Sequence, residues 1–271
     1  MALHHRLKNA LKATAGMRMV SFFDFDLFAP YSRGPNRQKT DHAILGAQII
    51  FPMMAEFADR QGISLLPVVS AENFGADTRD TAMALKILLD QHGSDKANKH
   101  NYHFVLGRIL HQRDAIKGVL EVGLGSNNPK IVSNMTVHGK PGASVRAFRD
   151  FLPQAHVYGA DYDRGALFTE DRLTTYHVDQ TDPHSFDALG AAITHDLDLV
   201  IDDGLHSPTA NLTTLEFGLS RLALGGWVVV EDINPLAVPL WQMVALLLNA
   251  RYSPHLIQCT KNPIFAVQRI G

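Results

Sequence analysis

The spacing of apolar residues changes partway along the chain. Between Asp41 and Gln61, Ile44, Leu45, Ile49, Ile50, Met53, Met54 and Phe57 recur at helical intervals, and Gly62 closes the run. Leu65–Val69 reads as a short strand. Asp80 caps a helix through Leu89 that stops near Gly93, and a further helix is expected over Tyr102–Arg113. From Gly118 onward, strand and helix alternate. Val119–Gly123 is an apolar run ending in a glycine loop, and Ser144–Leu152 is a helix with Pro153 behind it. Ala155–Asp161, Leu173–Val178, Leu197–Ile201 and Trp227–Val230 are further strands. A helix over Thr209–Leu222 precedes the last of them, and Gly225-Gly226 turns the chain into it. Such alternation with short connections predicts a parallel α/β sheet. The end of the chain departs from the pattern. His255–Cys259 and Ile264–Ile270 are joined by a tight turn at Thr260–Pro263, and a tight turn requires an antiparallel pair. The expected fold is therefore α/β and Rossmann-like. Its sheet is mostly parallel with a C-terminal antiparallel strand, behind a mainly helical N-terminal extension. Residues 1–92 form the extension, a substrate lid or oligomer contact, and residues 93–271 form the sheet domain.

Composition narrows the function classes. With 271 residues, 46% of them hydrophobic, the chain can bury a core without disulfides or a structural metal. The single cysteine, Cys259, has no internal partner, which suits a reducing, cytoplasmic compartment. A net charge of −2 argues against a general nucleic-acid or anionic-membrane binder. The opening MALHHRLKNALKATAGMRMV lacks an uninterrupted apolar stretch, so no secretory signal is read. The most apolar windows, around Trp227–Val230 and Val244–Leu248, are too short to span a bilayer. Fourteen histidines suggest metal binding, but they are scattered singly and read as surface or core residues. His4-His5 reads as a chain end, Phe22–Phe28 as core or dimer contact, and Lys140, Arg146 and Arg149 as a solvated helix face.

The chemistry lies at the strand ends, where open α/β sheets bind their ligands. Glu121, Asp161, Asp163, Asp179, Asp202, Asp203, Glu231 and Asp232 all fall there. Gly123 and Gly125 let the backbone turn sharply and approach a ligand. Asn128 stands where a dinucleotide fingerprint has its third glycine, and Asp161 comes well beyond that fingerprint's spacing of roughly 20 residues. The demand is for a nucleoside without a pyrophosphate. Asp161 is suited to accept from the ribose hydroxyls and Asp179 from an exocyclic adenine amine. Asp203, Glu231 and Asp232 converge from adjacent strand ends and repel one another unless a cation compensates. An all-oxygen set suits a hard ion such as Mg²⁺, and zinc is disfavoured without Cys or paired His at ligand spacing. Asp203 and His206 are three residues apart, which places both on one side of a turn.

These residues carry a resemblance. From Gly118 to the C-terminus the chain resembles class I S-adenosylmethionine-dependent methyltransferases. The matching pieces are Glu121-Val-Gly-Leu-Gly125, Gly159-Ala-Asp-Tyr-Asp163, Val178-Asp-Gln180, Val200-Ile-Asp-Asp203, Gly225-Gly226 and the terminal hairpin. More narrowly, Ile201-Asp-Asp-Gly-Leu-His206 with Val230-Glu-Asp232 is similar to the metal-dependent O-methyltransferases that act on macrolide sugars. The resemblance implies S-adenosyl-L-methionine as cofactor, with Glu121, Gly123, Gly125, Asn128, Asp161, Asp179, Gln180 and Asp202 around it. It implies Mg²⁺, or another hard divalent cation, on Asp203, Glu231 and Asp232, with His206 as base beside Asp203. Gly93-Ser-Asp-Lys96 and His100-Asn-Tyr102 resemble a segment ahead of that core, expected to close over the cofactor through Asp95, Lys96 and Tyr102. The implied acceptor is a small hydroxylated molecule containing a sugar, with no nucleic acid or membrane partner and with homo-oligomer contacts open. Two alternatives stand beside this reading. An NAD(P)-dependent oxidoreductase is disfavoured by Asn128, the late Asp161 and the hairpin. A non-catalytic binding subunit is disfavoured by intact acids at every strand end.

Overall fold

A computed structural model of the chain describes residues 37–131 and 134–271, with side chains from residue 49 onward. The readings at His4-His5 and Phe22–Phe28 lie outside the described residues. Helix α1 (Arg37–Arg60) contains the predicted periodic run, with Pro52 inside it. Strand β1 (Val68–Ser70), the single turn α2 (Ala71–Phe74) and α3 (Arg79–His92) follow. Gly93 ends α3 in the left-handed conformation, φ 82°, and its N–H reaches the carbonyls of Leu89 and Asp90. Thr78 holds the N-cap position, so Asp80 falls two residues past it, in the first turn, where its charge favours the helix dipole. Helix α4 (His103–Ile109) is shorter than predicted. The residues beyond it, His111 to Asp114, are all exposed and bring no apolar face to continue the helix.

The sheet then builds through β2 (Gly118–Val122), α5 (Ala143–Phe151), β3 (His156–Asp161), β4 (Thr169–Glu170), β5 (Leu173–His177), α6 (Ser185–Ala192) and β6 (Leu197–Asp202). It ends with α7 (Pro208–Arg221), β7 (Leu222–Val230), α8 (Val238–Leu247), β8 (Tyr252–Gln258) and β9 (Pro263–Arg269). The strand order is β1-β8-β9-β7-β6-β2-β3-β5-β4. Strands β5, β3, β2, β6 and β7 pair in parallel, and β9 runs antiparallel to both β7 and β8. The mostly parallel sheet with a C-terminal antiparallel strand is thus as predicted. Two details differ. The two-residue β4 pairs antiparallel with β5, too short a segment to carry an alternation of its own. Strand β7 starts at Leu222, ahead of Gly225-Gly226: Leu222 pairs with Leu197 and Trp227 with Leu199, so the glycines sit within a bulged strand.

Alternation along the strands divides the core into two faces. Val119, Val157, Leu199, Ile201 and Val229 point to one side, where they meet Leu85, Leu89, Val105, Leu106, Val145 and Phe148 of α3, α4 and α5. Leu120, Val122, Val200, Val228 and Val230 point to the other, packed on Phe186, Leu189, Leu215 and Trp241 of α6, α7 and α8. Leu85 and Leu89 are fully buried, each contributing roughly 1.5–3 kcal/mol of transfer free energy. Residues from Ala71 to Leu110 therefore share the core of the sheet. No helix among the described residues is long and apolar enough to cross a membrane.

Candidate active site

The C-terminal ends of β2, β3, β6 and β7 converge on one region because parallel strands all deliver their carboxyl ends to the same edge. Strand β2 is wholly buried and runs out at Gly123, φ 101°, followed by Gly125, φ 81°. A cavity of about 300 Å³ opens there, lined by Gly123, Gly125, Asp161, Tyr162, Asp179, Gln180 and Asp203. A second, more polar cavity of about 160 Å³ adjoins it, lined by Asp95, Lys96, His100, Tyr102, His206, Glu231 and Asp232. Gly123, Gly125, Asp203 and Gly204 line both, so the glycine loop and the end of β6 form the boundary between them.

Around the first cavity several acids hold the loops. Asp161 Oδ2 accepts from the backbone N–H groups of Leu124 (2.8 Å) and Gly125 (3.1 Å), and its Oδ1 accepts from Asp163 N–H (2.7 Å). Burial pushes the Asp161 carboxyl above its ordinary range, although the three backbone donors favour the charged form. Asp163 accepts from the Ser126 hydroxyl, which holds its carboxyl low. Asp179 Oδ1 accepts from the backbone and hydroxyl of Thr181 at 2.9 and 2.6 Å, an Asx turn at the cavity wall. Asp202 is fully buried and lines neither cavity. It accepts from Gln180 Nε2 (2.8 Å), Asn211 Nδ2 (2.9 Å) and Gly204 N–H (3.2 Å), while Gln180 Oε1 accepts from Leu205 N–H (2.8 Å). The Asp202–Gln180 pair thus braces the turn after β6. Asn128 is exposed, and its Oδ1 accepts from Lys130 N–H (3.0 Å).

The second cavity concentrates negative charge. Asp203, His206 and Asp232 each offer an atom to a group that lies within 4.8 Å, and no other cluster of three His, Cys, Asp or Glu side chains among the described residues is so placed. His206 Nε2 is 3.9 Å from both Asp203 Oδ1 and Asp232 Oδ2, and its Nδ1 is buried without a hydrogen-bond partner. His206 and Asp232 both hold left-handed backbone conformations, φ 56° and 52°, costly for residues with a Cβ and characteristic of functional loops. Asp232 Oδ1 accepts from Tyr102 OH (2.6 Å) and Asn262 Nδ2 (3.0 Å), with His100 Nδ1 at 3.3 Å. Burial opposes the charge on Asp232. Its polar surroundings, with His100 Nδ1 at 3.3 Å and the Tyr102 hydroxyl donating to it, outweigh burial and hold the carboxyl far below its usual range. Glu121 and Glu231 are fully buried. Glu121 Oε2 accepts from Ser144 Oγ at 2.5 Å, and both carboxylates face Lys96. Burial raises Glu231 well above the carboxylate range, with Asp203 and Glu121 adding to the rise and Lys96 offsetting part of it. Its Oε1 has no hydrogen-bond partner.

Sequence reasoning named Asp95, Lys96 and Tyr102 as lid contacts. All three line the second cavity, Asp95 also pairing with Lys99 at 3.2 Å. It did not single out His100 or Asn262 as partners of Asp232. Asn262 lies in the hairpin turn, and only the antiparallel pairing of β8 and β9 carries it to the site. The residues suit a hard cation. Glu231 Oε1 is a buried carboxylate oxygen with no partner, and three carboxylates face one lysine.

A parallel sheet with a reversed strand between β7 and β8, a glycine loop after β2 and acids at the strand ends define the class I methyltransferase fold, as the sequence resemblance implied. The comparisons agree. The chain is 31% identical over 179 residues to the 8-demethyl-8-α-L-rhamnosyl tetracenomycin-C 2′-O-methyltransferase of Streptomyces olivaceus, covering 66% of this chain and 45% of that enzyme. It is 30% identical over 154 residues to the 3′-O-methyltransferase acting on the 2-methoxy-rhamnosyl compound in the same organism, over 54% of this chain and 36% of that one. Among solved structures it is similar to the MycE methyltransferase of mycinamycin biosynthesis, in complex with Mg, SAH and mycinamycin VI. There the TM-score is 0.55 and the identity 22%, over 69% of this chain and 53% of that chain. The matches thus span less than half the length of these curated relatives. No protein-family model matches the chain. The chain is a relative of O-methyltransferases that act on glycosylated natural products.

Proposed function

We propose that this chain transfers the methyl group of S-adenosyl-L-methionine to a hydroxyl of a sugar or glycosylated small molecule, with a divalent cation assisting. The observation that carries the reading is the convergence of Asp203, His206 and Asp232 within 4.8 Å, in a cavity that shares its glycine wall with a nucleoside-sized one. In this reading the larger cavity takes the cofactor, with Gly123 and Gly125 allowing close approach, Asp161 fixing the loop, and Asp179 and Gln180 at its far wall. Asp203, Asp232 and Glu231 hold the cation. When bound, the cation lowers the pKa of a coordinated oxygen, as metals take bound water from 15.7 to about 7 in favourable sites. The acceptor hydroxyl gives its proton to His206, and the carboxylates of Asp203 and Asp232 stabilise the imidazolium that results. Tyr102 and His100 keep Asp232 ionised and oriented, so the site does not rearrange as charge develops. Holding acceptor and methyl donor at attack distance supplies much of the acceleration.

The relatives' names support a glycosylated acceptor, since both rhamnosyl enzymes act on sugar hydroxyls. The test begins with isothermal titration of S-adenosylhomocysteine into the full chain, where binding is expected and its absence, together with none for S-adenosylmethionine, removes the class. Methyl transfer to a panel of glycosylated acceptors follows. Full activity in excess EDTA and in Asp203→Ala would remove the cation, and an unchanged rate constant in His206→Ala would remove the base.

A further inference from the structure

Lys96 enters the acidic end of the sheet from the segment ahead of α4. Its Nζ lies 2.7 Å from Asp203 Oδ2 and 3.0 Å from Glu121 Oε1, and it also donates to Glu231 Oε2. The lysine side chain is 3% exposed and the two glutamates not at all, so these charges meet with almost no screening by water. One ammonium is thus shared among the carboxyl groups of Asp203, Glu121 and Glu231. Two of the three partners, Asp203 and Glu231, are the carboxylates assigned above to a divalent cation.

We propose that Lys96 is a resident counter-ion that competes with the divalent cation for Asp203 and Glu231, so that the two exclude each other and the lysine sets the metal affinity of the site. The inference rests on the metal reading under Proposed function. Asp203 and Glu231 each give one oxygen to the ammonium, and a hard cation draws its affinity from the same negative charge. An ammonium and a dication on shared carboxylates repel strongly in a buried setting, so binding of one requires retreat of the other. The lysine is suited to such a role because it sits on a flexible four-carbon stem as a point charge that needs no fixed plane. Before metal arrives its ammonium is shared by the buried Glu121 and Glu231 and the partly exposed Asp203. Segment 93–102 remains tethered while Lys96 moves, because Tyr102 holds Asp232 independently.

The experiment measures Mn²⁺ binding to the full chain by electron paramagnetic resonance, in wild type and in Lys96→Met. The variant is expected to bind Mn²⁺ about tenfold tighter or more, equivalent to about 1.4 kcal/mol. Equal or weaker binding by the folded variant overturns the competition while leaving the metal reading standing. A second measurement needs no substitution: acetylation of Lys96 in the wild-type chain, read by mass spectrometry. Saturating Mn²⁺ is expected to raise its acetylation severalfold as the ammonium leaves its carboxylates, and an unchanged yield overturns the proposal even if Lys96→Met does not fold. Binding of Mn²⁺ to neither protein removes the metal reading and the competition with it.

Discussion

Replacing Gly123 by alanine tests how the glycine loop is built. A Cβ at Gly123 would lie 2.1 Å from the carbonyl oxygen of Asp203, 2.4 Å from its carbon and 2.7 Å from Gly204 Cα. All three are backbone atoms, so no side chain can swing aside, and restoring contact distance requires the β6 end to move by about 1 Å. Overpacking of this kind costs roughly 1–3 kcal/mol, and the positive φ adds about 1–2 kcal/mol for any residue with a Cβ. The sum is a large share of a total stability of about 5–15 kcal/mol. At roughly 2–4 °C per kcal/mol for a chain of this size, the thermal midpoint should fall by about 4–20 °C. Gly225→Ala supplies the control, because Gly225 also has a positive φ, 85°, but nothing lies within 4 Å of its added Cβ. It carries the backbone cost alone. Differential scanning fluorimetry of the two variants separates the terms, and titration with S-adenosylhomocysteine should show weakened binding in Gly123→Ala only. Should Gly123→Ala lose no more stability than Gly225→Ala, the close approach of the β6 end is wrong.

Two further outcomes follow from the hydrogen bonds and charges. Asp202 Oδ1 accepts from Gln180 and Gly204 and Oδ2 from Asn211, so Asp202→Asn, which turns one of these oxygens into an NH₂, leaves a buried donor facing a donor in either orientation. The variant should lose about 1–3 kcal/mol in urea unfolding, and an unaltered urea midpoint would contradict the bracing role. Burial opposes the charges of Glu170 and Asp150, but Arg146 and Arg149 beside Glu170, and Arg149 and His92 beside Asp150, hold both carboxyls below their ordinary values. With folded pKa values below the unfolded ones of about 4, their stabilisation is complete above that pH and is lost as the pH falls through the folded values. Arg149→Gln, which removes a donor from both, should therefore reduce stability at neutral pH and converge on wild type near pH ~2. A loss of equal size at both pH values would show that Arg149 acts through packing instead.

Much of the sheet was legible because its strands are short apolar runs that end on acids, and because Thr260–Pro263 is too short for anything but a hairpin. The acids themselves were legible as a set, since consecutive parallel strands deliver their ends to one edge. Their individual partners were not. Asp161 and Asp202 look alike in sequence, each an acid at the end of a buried strand, yet one lines a cavity and the other is sealed behind it. That distinction depends on Gln180 and Asn211, which come from two other elements. Lys96 was legible as a lid contact through the resemblance, but not as the partner of three carboxylates that lie far along the chain. Local periodicity carries no information about such long-range pairing. Helix α4 was overestimated for a related reason: helical spacing persists past Ile109, but no neighbouring element covers His111 to Asp114.

The edge strand β1 also constrains the order in which the protein can assemble. Val68, Val69 and Ser70 pair with Leu256, Ile257 and Gln258 of β8, near the opposite end of the chain. During synthesis at about 5–20 residues per second, β1 emerges long before its neighbour exists. Until β8 is made, the backbone edge of β1 lacks its partner strand, whereas Asp232, the partner of Tyr102, is made earlier. A chain stopped shortly before Tyr252 would have its central strands and pocket acids but no partner strand for β1, and it would lack the hairpin turn that brings Asn262 to Asp232.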